Sequence, residues 1–195
     1  MNQFFSSQLA DAFPDAGSPE RIGIPQSLNA EQKAAADELM NGPRGGVYGP
    51  FRPLLHRPSL LRAIAKAGET LRYEGSLDAS LREWTICVVA RETSNVFEWD
   101  MHLPLAAKTG VPEAMLDALA FAKDLPEDAP ADLVLSLTLA RELVADHRLK
   151  DETYARARQQ WSEATLVELI TLVGYFAAVC WLMNVARTPG PKAVT

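Results

Sequence analysis

The chain has 195 residues, 48% hydrophobic and 23% charged, which is close to an average globular composition and enough for one sizeable core. Its 19 basic and 25 acidic residues give a formal net charge of -6, which argues against general binding to nucleic acid or to an anionic membrane surface. Any anionic ligand must then be held by a local basic pocket. The two cysteines, Cys87 and Cys180, lie far apart in apolar runs, so no disulfide framework and no cysteine-based zinc site is expected, and a reducing cytoplasm is the simplest compartment.

The first residues, MNQFFSSQLADAF, lack the basic start and long apolar middle of a secretory signal. Met1 to about Ala30 is rich in Pro, Gly and Ser without a sustained period and reads as an extended arm. A short helix over Glu31–Met40 ends at Asn41-Gly42-Pro43. GPRGGVYGPFRP follows, a loop whose glycines allow positive φ; it lacks the Gly and Lys spacing of a phosphate cradle and reads as a loop folded over something. From Pro58 the pattern is helical, with Leu60, Leu61, Ile64, Ala67, Gly68 and Leu71 at intervals of three and four.

Asp78 is an N-cap for a helix to about Arg91, Thr93-Ser94-Asn95 breaks the chain, and a further helix runs from near Asn95 to Gly110. Helices follow over Pro112–Ala122, Ala131–Asp146, Asp151–Trp161 and Ala164–Arg187. The stretch Leu169–Ala186, about 18 residues without a formal charge, is at the low end of a membrane span and is expected to be a core or subunit-interface helix. The expected fold is all-α: a single-domain helical bundle of about seven helices with an extended N-terminal arm, residues 1–50 forming the arm, short helix and loop and residues 51–190 the helical domain.

Residues Arg82 to Val111, REWTICVVARETSNVFEWDMHLPLAAKTGV, concentrate the groups that could carry chemistry. Glu98 and His102 are four apart and share a helix face, where a carboxylate can orient an imidazole. Asn95-x-x-Glu98 also has the form of a capping box, in which Glu98 would only reach back to the first amide. Glu83 is either an exposed helix charge paired with Arg82 or Arg91, or a partner for His102: in an antiparallel hairpin it lies about ten residues before the turn and His102 about eight after it. Such a pair could share one substrate as general acid and base. Apolar surroundings and a neighbouring carboxylate would raise the pKa of the Cys87 thiol, so both cysteines read as core. His147 lies in a polar turn and reads as surface, and no His-x-x-x-His or comparable cluster suggests a metal.

The run Leu81–Val111, with its Arg-Glu start, Glu-Trp-x-x-His centre and Leu-Ala-x-x-x-Gly-Val end, resembles the carboxymuconolactone decarboxylase family, related to alkylhydroperoxidase D. LITLVGYFAAVCWLMNVARTP is similar to that family's last helix, and GPRGGVYGPFRPLLHRPSL to the N-terminal part of its longer members. The resemblance implies an all-helical fold in trimers or hexamers, and a proton relay whose Glu and His match Glu83 and His102. The peroxidase branch places a Cys-x-x-Cys pair where this chain has Asn95 and Glu98, which points to the branch without cysteines.

That branch implies a cofactor-free decarboxylase-like lyase, or a related lactone- or enol-processing enzyme, acting on a small carboxylated molecule. His102 is then the candidate acid, with Glu83 and Glu98 as orienting or relay groups; Arg52, Arg72 and His56 are candidate cations, and Tyr175 and Asn184 candidate hydrogen-bond donors. Under this reading His102→Ala abolishes turnover with folding intact. An alkylhydroperoxidase- or peroxidase-related activity and a non-catalytic oligomeric small-molecule-binding scaffold are the alternatives. In the scaffold the pocket would be filled by side chains and Glu98 engaged only in capping.

Overall fold

Helix boundaries follow local chemistry. In the computed structural model, which describes residues 5–191, nine α-helices and no strand occur among the described residues: α1 (Ala30–Asn41), α2 (Phe51–Leu54), α3 (Pro58–Glu69), α4 (Ala79–Glu92), α5 (Val96–Lys108), α6 (Glu113–Ala120), α7 (Ala131–Asp146), α8 (Asp151–Gln160) and α9 (Glu163–Ala186). Asn29 opens α1 with a capping box to Gln32, and Asp78 accepts from the Ser80 amide at 2.8 Å to open α4. Asn95 accepts from the Glu98 amide at 2.9 Å to open α5, and Ser162 from the Thr165 amide at 3.1 Å to open α9. The all-helical expectation is met. The additional short helix, α2, lies at the end of the Gly/Pro-rich loop, where Pro50 precedes a single turn. α3 runs on into a π-turn, Thr70–Glu74.

α4 is the central element, packed against α5, α7 and α9. Trp84, Ile86, Cys87, Val88, Val89 and Ala90 are fully buried, and the Trp84 indole donates to the Leu133 carbonyl at 2.9 Å. A helix enclosed on nearly every side must also bury its polar residues, so Glu83 is 4% exposed rather than a solvated surface charge. Its antiparallel partner α5 follows after Thr93–Asn95, with Ser94 in the left-handed region at φ 52°.

Among the described residues the arm has no α-helix before Ala30, but it is packed rather than free. Leu9, Ala12 and Phe13 enter the main core, with the Phe13 ring 5.5 Å from that of Trp99. The Asp100 carboxylate accepts from the Ser6 amide at 2.8 Å and the Ser6 hydroxyl at 2.5 Å, and the Arg21 and Ile22 amides donate to the Ala186 carbonyl. Residue 50 is not a packing boundary either, since Ala35, Ala36 and Leu39 of α1 share a second core cluster with Phe51, Leu54, Leu55, Leu61 and Ala65.

α9 is long and apolar enough to cross a membrane by length and composition, yet half of its apolar window is buried inside the fold, where it serves as a core helix. Its outward side carries Val167, Ile170, Trp181 and Val185, all exposed.

Candidate functional site

The α4–α5 hairpin brings Glu83, Glu98 and His102 into one buried row. His102 Nδ1 lies 2.6 Å from Glu83 Oε2, and Nε2 lies 3.2 Å from Glu98 Oε2. The His102 side chain is 2% exposed. Carboxylates only accept, so the ring satisfies both of them when both of its nitrogens carry protons. Burial pushes the imidazole pKa down, but the hydrogen bonds and charges of Glu83 and Glu98 outweigh it and raise it above the ordinary histidine value. For Glu83, burial pushes up, and the His102 hydrogen bond and charge, with Arg72 and Arg82 beyond, outweigh it and hold the carboxyl below the usual range. Arg82 Nε also donates to Glu83 Oε1 at 3.2 Å. Only half of the capping box forms around Asn95: its side chain caps the Glu98 amide, while the Glu98 carboxylate faces His102.

This row borders an open cavity of about 210 Å³. The Gly/Pro-rich loop forms one wall through Pro43, Arg44, Gly46, Tyr48 and Pro50, so the loop does fold over a site. Gly49 is required there twice over: its φ is +52°, and a Cβ would stand 2.5 Å from Phe97 Cε1. The π-turn supplies Arg72 and Tyr73; π-turns commonly re-aim side chains at functional sites, and here Leu71 stays in the core while Arg72 reaches the cavity wall. Phe97 and Met101 of α5 and Phe176 of α9 provide apolar surface, the last with its ring edge-on to His102 at 5.4 Å.

Arg72 and Tyr175 therefore line the cavity with His102 and Glu98, while Arg52, His56 and Asn184 do not. Arg52 makes a two-pronged ion pair with Glu20 of the arm, at 2.8 and 2.7 Å, and the exposed His56 places Nε2 3.1 Å from the Gly23 carbonyl. Both instead hold the arm against α2. Phe51 of α2 faces the cavity, while the Arg52 guanidinium is turned to the Glu20 carboxylate instead. Asn184 locks the hairpin: its Nδ2 donates to the Thr93 carbonyl at 2.6 Å and its Oδ1 accepts from Asn95 at 2.7 Å. Tyr175 already donates to the Ile64 carbonyl at 3.2 Å, and burial pushes its pKa up to about 12, so it offers the cavity a neutral phenol whose proton is committed.

Sequence reasoning missed Arg44, Phe97, Met101 and Phe176. A signal existed for two of them: Phe97 and Met101 form an i, i+4 row beside Glu98 and His102 on α5. Cys87 and Cys180 are free and fully buried; burial, reinforced by Glu98 for both and by Glu83 for Cys87, pushes both thiols well up. His147 is exposed at the end of α7.

Residues 58–142 match the carboxymuconolactone decarboxylase family model, and no curated protein matches the chain. A peroxidase-related protein from Ralstonia eutropha with an alkylhydroperoxidase AhpD core aligns at a TM-score of 0.69 and 17% identity, over 91% of this chain and 95% of its own. A peroxidase-related protein from Silicibacter aligns at 0.66 and 15% identity, over 91% and 94%. A protein from Agrobacterium tumefaciens, described as a putative antioxidant defence protein AhpD, aligns at 0.59 and 13% identity, over 71% and 94%. At these identities the likeness is one of fold.

Proposed function

We propose, from the match of residues 58–142 to the carboxymuconolactone decarboxylase family model, that the chain is a decarboxylase-like lyase acting on a small carboxylated lactone or a related metabolite of aromatic degradation. The observation that carries this reading is the imidazole of His102 held between two buried carboxylates at the edge of an open cavity. In the reaction the bond from the ring carbon to the carboxylate carbon breaks, carbon dioxide leaves, and the electron pair passes into the lactone carbonyl as an enolate. The His102 imidazolium returns a proton to carbon, directly or through Glu98 on the cavity wall, while Glu83 fixes the ring and keeps it cationic. An open cavity and a Glu98 turned toward His102 both speak against a scaffold whose pocket is filled.

The second reading, a peroxidase-related activity, draws on the AhpD-like neighbours. It would have to work without accessible thiols, because Cys87 and Cys180 are buried. Two assays on the same protein separate the readings. Carbon dioxide release is expected from a panel of carboxylated γ-lactones, with no consumption of hydrogen peroxide in the presence of dithiothreitol. Consumption of hydrogen peroxide without any decarboxylation would overturn the lyase reading.

The site is cytoplasmic and homo-oligomeric under this proposal, as trimers or hexamers. The exposed apolar side chains of α9, Val167, Ile170, Trp181 and Val185, support association. Sedimentation equilibrium is expected to return three or six chain masses; a monomer at micromolar concentration would refute it.

A further inference from the structure

Two guanidinium groups outside the acid–base row close on the same cavity. Arg44 comes from the Gly/Pro-rich loop, and its side chain is only 9% exposed. Its Nη2 donates to the Ala65 carbonyl at 2.8 Å, its Cζ lies over the Phe51 ring 4.5 Å from the centroid, and Glu69 stands 3.8 Å from Nε. Helix α3 gives up a side chain to admit this group: a Cβ on Gly68 would lie 2.2 Å from the Tyr175 hydroxyl and 3.1 Å from Arg44 Nη2. Arg72, from the π-turn, lies beside the Tyr73 ring at 5.2 Å and has no ion pair within 4 Å among the described residues.

Both arginines share an unusual feature. Among the described residues four buried side-chain polar atoms make no hydrogen bond, and two of the four are Arg44 Nε and Arg72 Nε. A buried cationic donor without a hydrogen-bond acceptor recovers only part of its lost hydration, here from Glu69 at 3.8 Å from Arg44 Nε and from the Glu83 charge felt by Arg72. Two such donors on the walls of one cavity are explained together by an acceptor that arrives with a ligand, and a carboxylate between two guanidinium groups is the strongest neutral-pH form of that contact.

We propose that the cavity seats the single carboxylate of a small ring-bearing monoanion between Arg44 and Arg72, with its ring against Phe97, Met101 and Phe176 and its edge at His102. This rests on the acid–base reading above for what happens at that edge, but the seat itself is a matter of charge and shape. Of the arginine and carboxylate side chains that line the cavity, Arg44 and Arg72 face Glu98, a surplus of one positive charge that one carboxylate neutralises. A dicarboxylate would bring an uncompensated second charge into a largely buried site. The volume agrees, since an apolar cavity of about 150 Å³ holds a benzene ring and this one, at about 210 Å³, leaves room for a carboxylate besides.

Benzoate and cyclohexanecarboxylate are suitable probes, titrated calorimetrically into the full chain, with benzamide and phthalate as the neutral and doubly charged comparisons. Saturable binding of a monocarboxylate is expected with a Kd near or below about 1 mM, with benzamide and phthalate at least about tenfold weaker. Arg44→Gln and Arg72→Gln are each expected to weaken it about tenfold or more, whereas Arg52→Gln, at the arm, leaves it unchanged. If Arg44→Gln does not fold, Arg44→Lys, which keeps the charge and removes Nε, is expected to weaken binding to a smaller degree. Absence of saturable binding by either monocarboxylate, or binding indifferent to both arginines, overturns the proposal. Arginine-dependent binding of the probes by a protein without lyase turnover would uphold the seat and sink the reaction, and lyase turnover with probe binding indifferent to both arginines would do the reverse.

Discussion

Replacing His102 with Gln is expected to lower decarboxylation of a competent carboxylated lactone by about 100- to 10,000-fold, the range over which a positioned acid or base contributes. It is also expected to cost about 3–5 kcal/mol of stability, because it removes the cation from between two buried carboxylates. The sequence-based expectation that His102 can be deleted with folding intact is thus revised: Glu83 and Glu98 are each about 5% exposed at the side chain and lose the proton donors that compensate them. Chemical denaturation of the single variants His102→Gln and Glu83→Gln and of their double variant checks this. The double variant should be more stable than the sum of the single losses predicts, since it buries one charge fewer than His102→Gln alone. Strict additivity, together with wild-type turnover in His102→Gln, would remove the row from both folding and chemistry.

The same row is expected to set the pH dependence of stability. His102 has a raised folded-state pKa, so its contribution is fully present below the unfolded value near 6.5 and is lost as pH rises through the folded value. Glu83 has a lowered folded-state pKa, so its contribution is present above the ordinary carboxylate value, about 4.5, and is lost as pH falls through the folded value. Stability should therefore peak between about pH 4.5 and 6.5 and decline above that window. Glu83→Gln leaves Nδ1 with an acceptor that carries no charge; it is expected to cost about 3 kcal/mol inside the window and to flatten the decline above it. Urea denaturation from pH 4 to 9 measures both. A wild-type profile that stays level from pH 6.5 to 9 would show that the imidazole is not held cationic by its neighbours.

Much of the hairpin that carries this chemistry was legible one residue at a time. Asp78 and Asn95 mark helix starts because a short polar side chain can satisfy amides two or three residues on, and Gly110 marks a stop because its φ of +96° suits a residue without a Cβ. The i, i+4 relation of Glu98 and His102, and their register opposite Glu83, follow from helix periodicity and a three-residue turn. The match over residues 58–142 covers this same hairpin.

The cavity was less legible. Arg52 and His56 lie close in sequence to the loop that lines the cavity, yet they clamp the arm through Glu20 and Gly23, while Arg44, eight residues earlier than Arg52, carries the cationic wall. Caps, periods and turn residues act within a turn or two, so composition and spacing alone give the all-helical class and most helix limits, and leave Glu83 either a partner for His102 or a solvated helix charge. Burial of Glu83, the seating of Phe13 against Trp99 and the choice of Arg44 and Arg72 over Arg52 depend on how α4 is enclosed and how the arm and loop cross distant helices. Those contacts join residues tens of positions apart, and the rotation of each helix about its own axis, set by packing against its neighbours, decides which side chain meets the cavity.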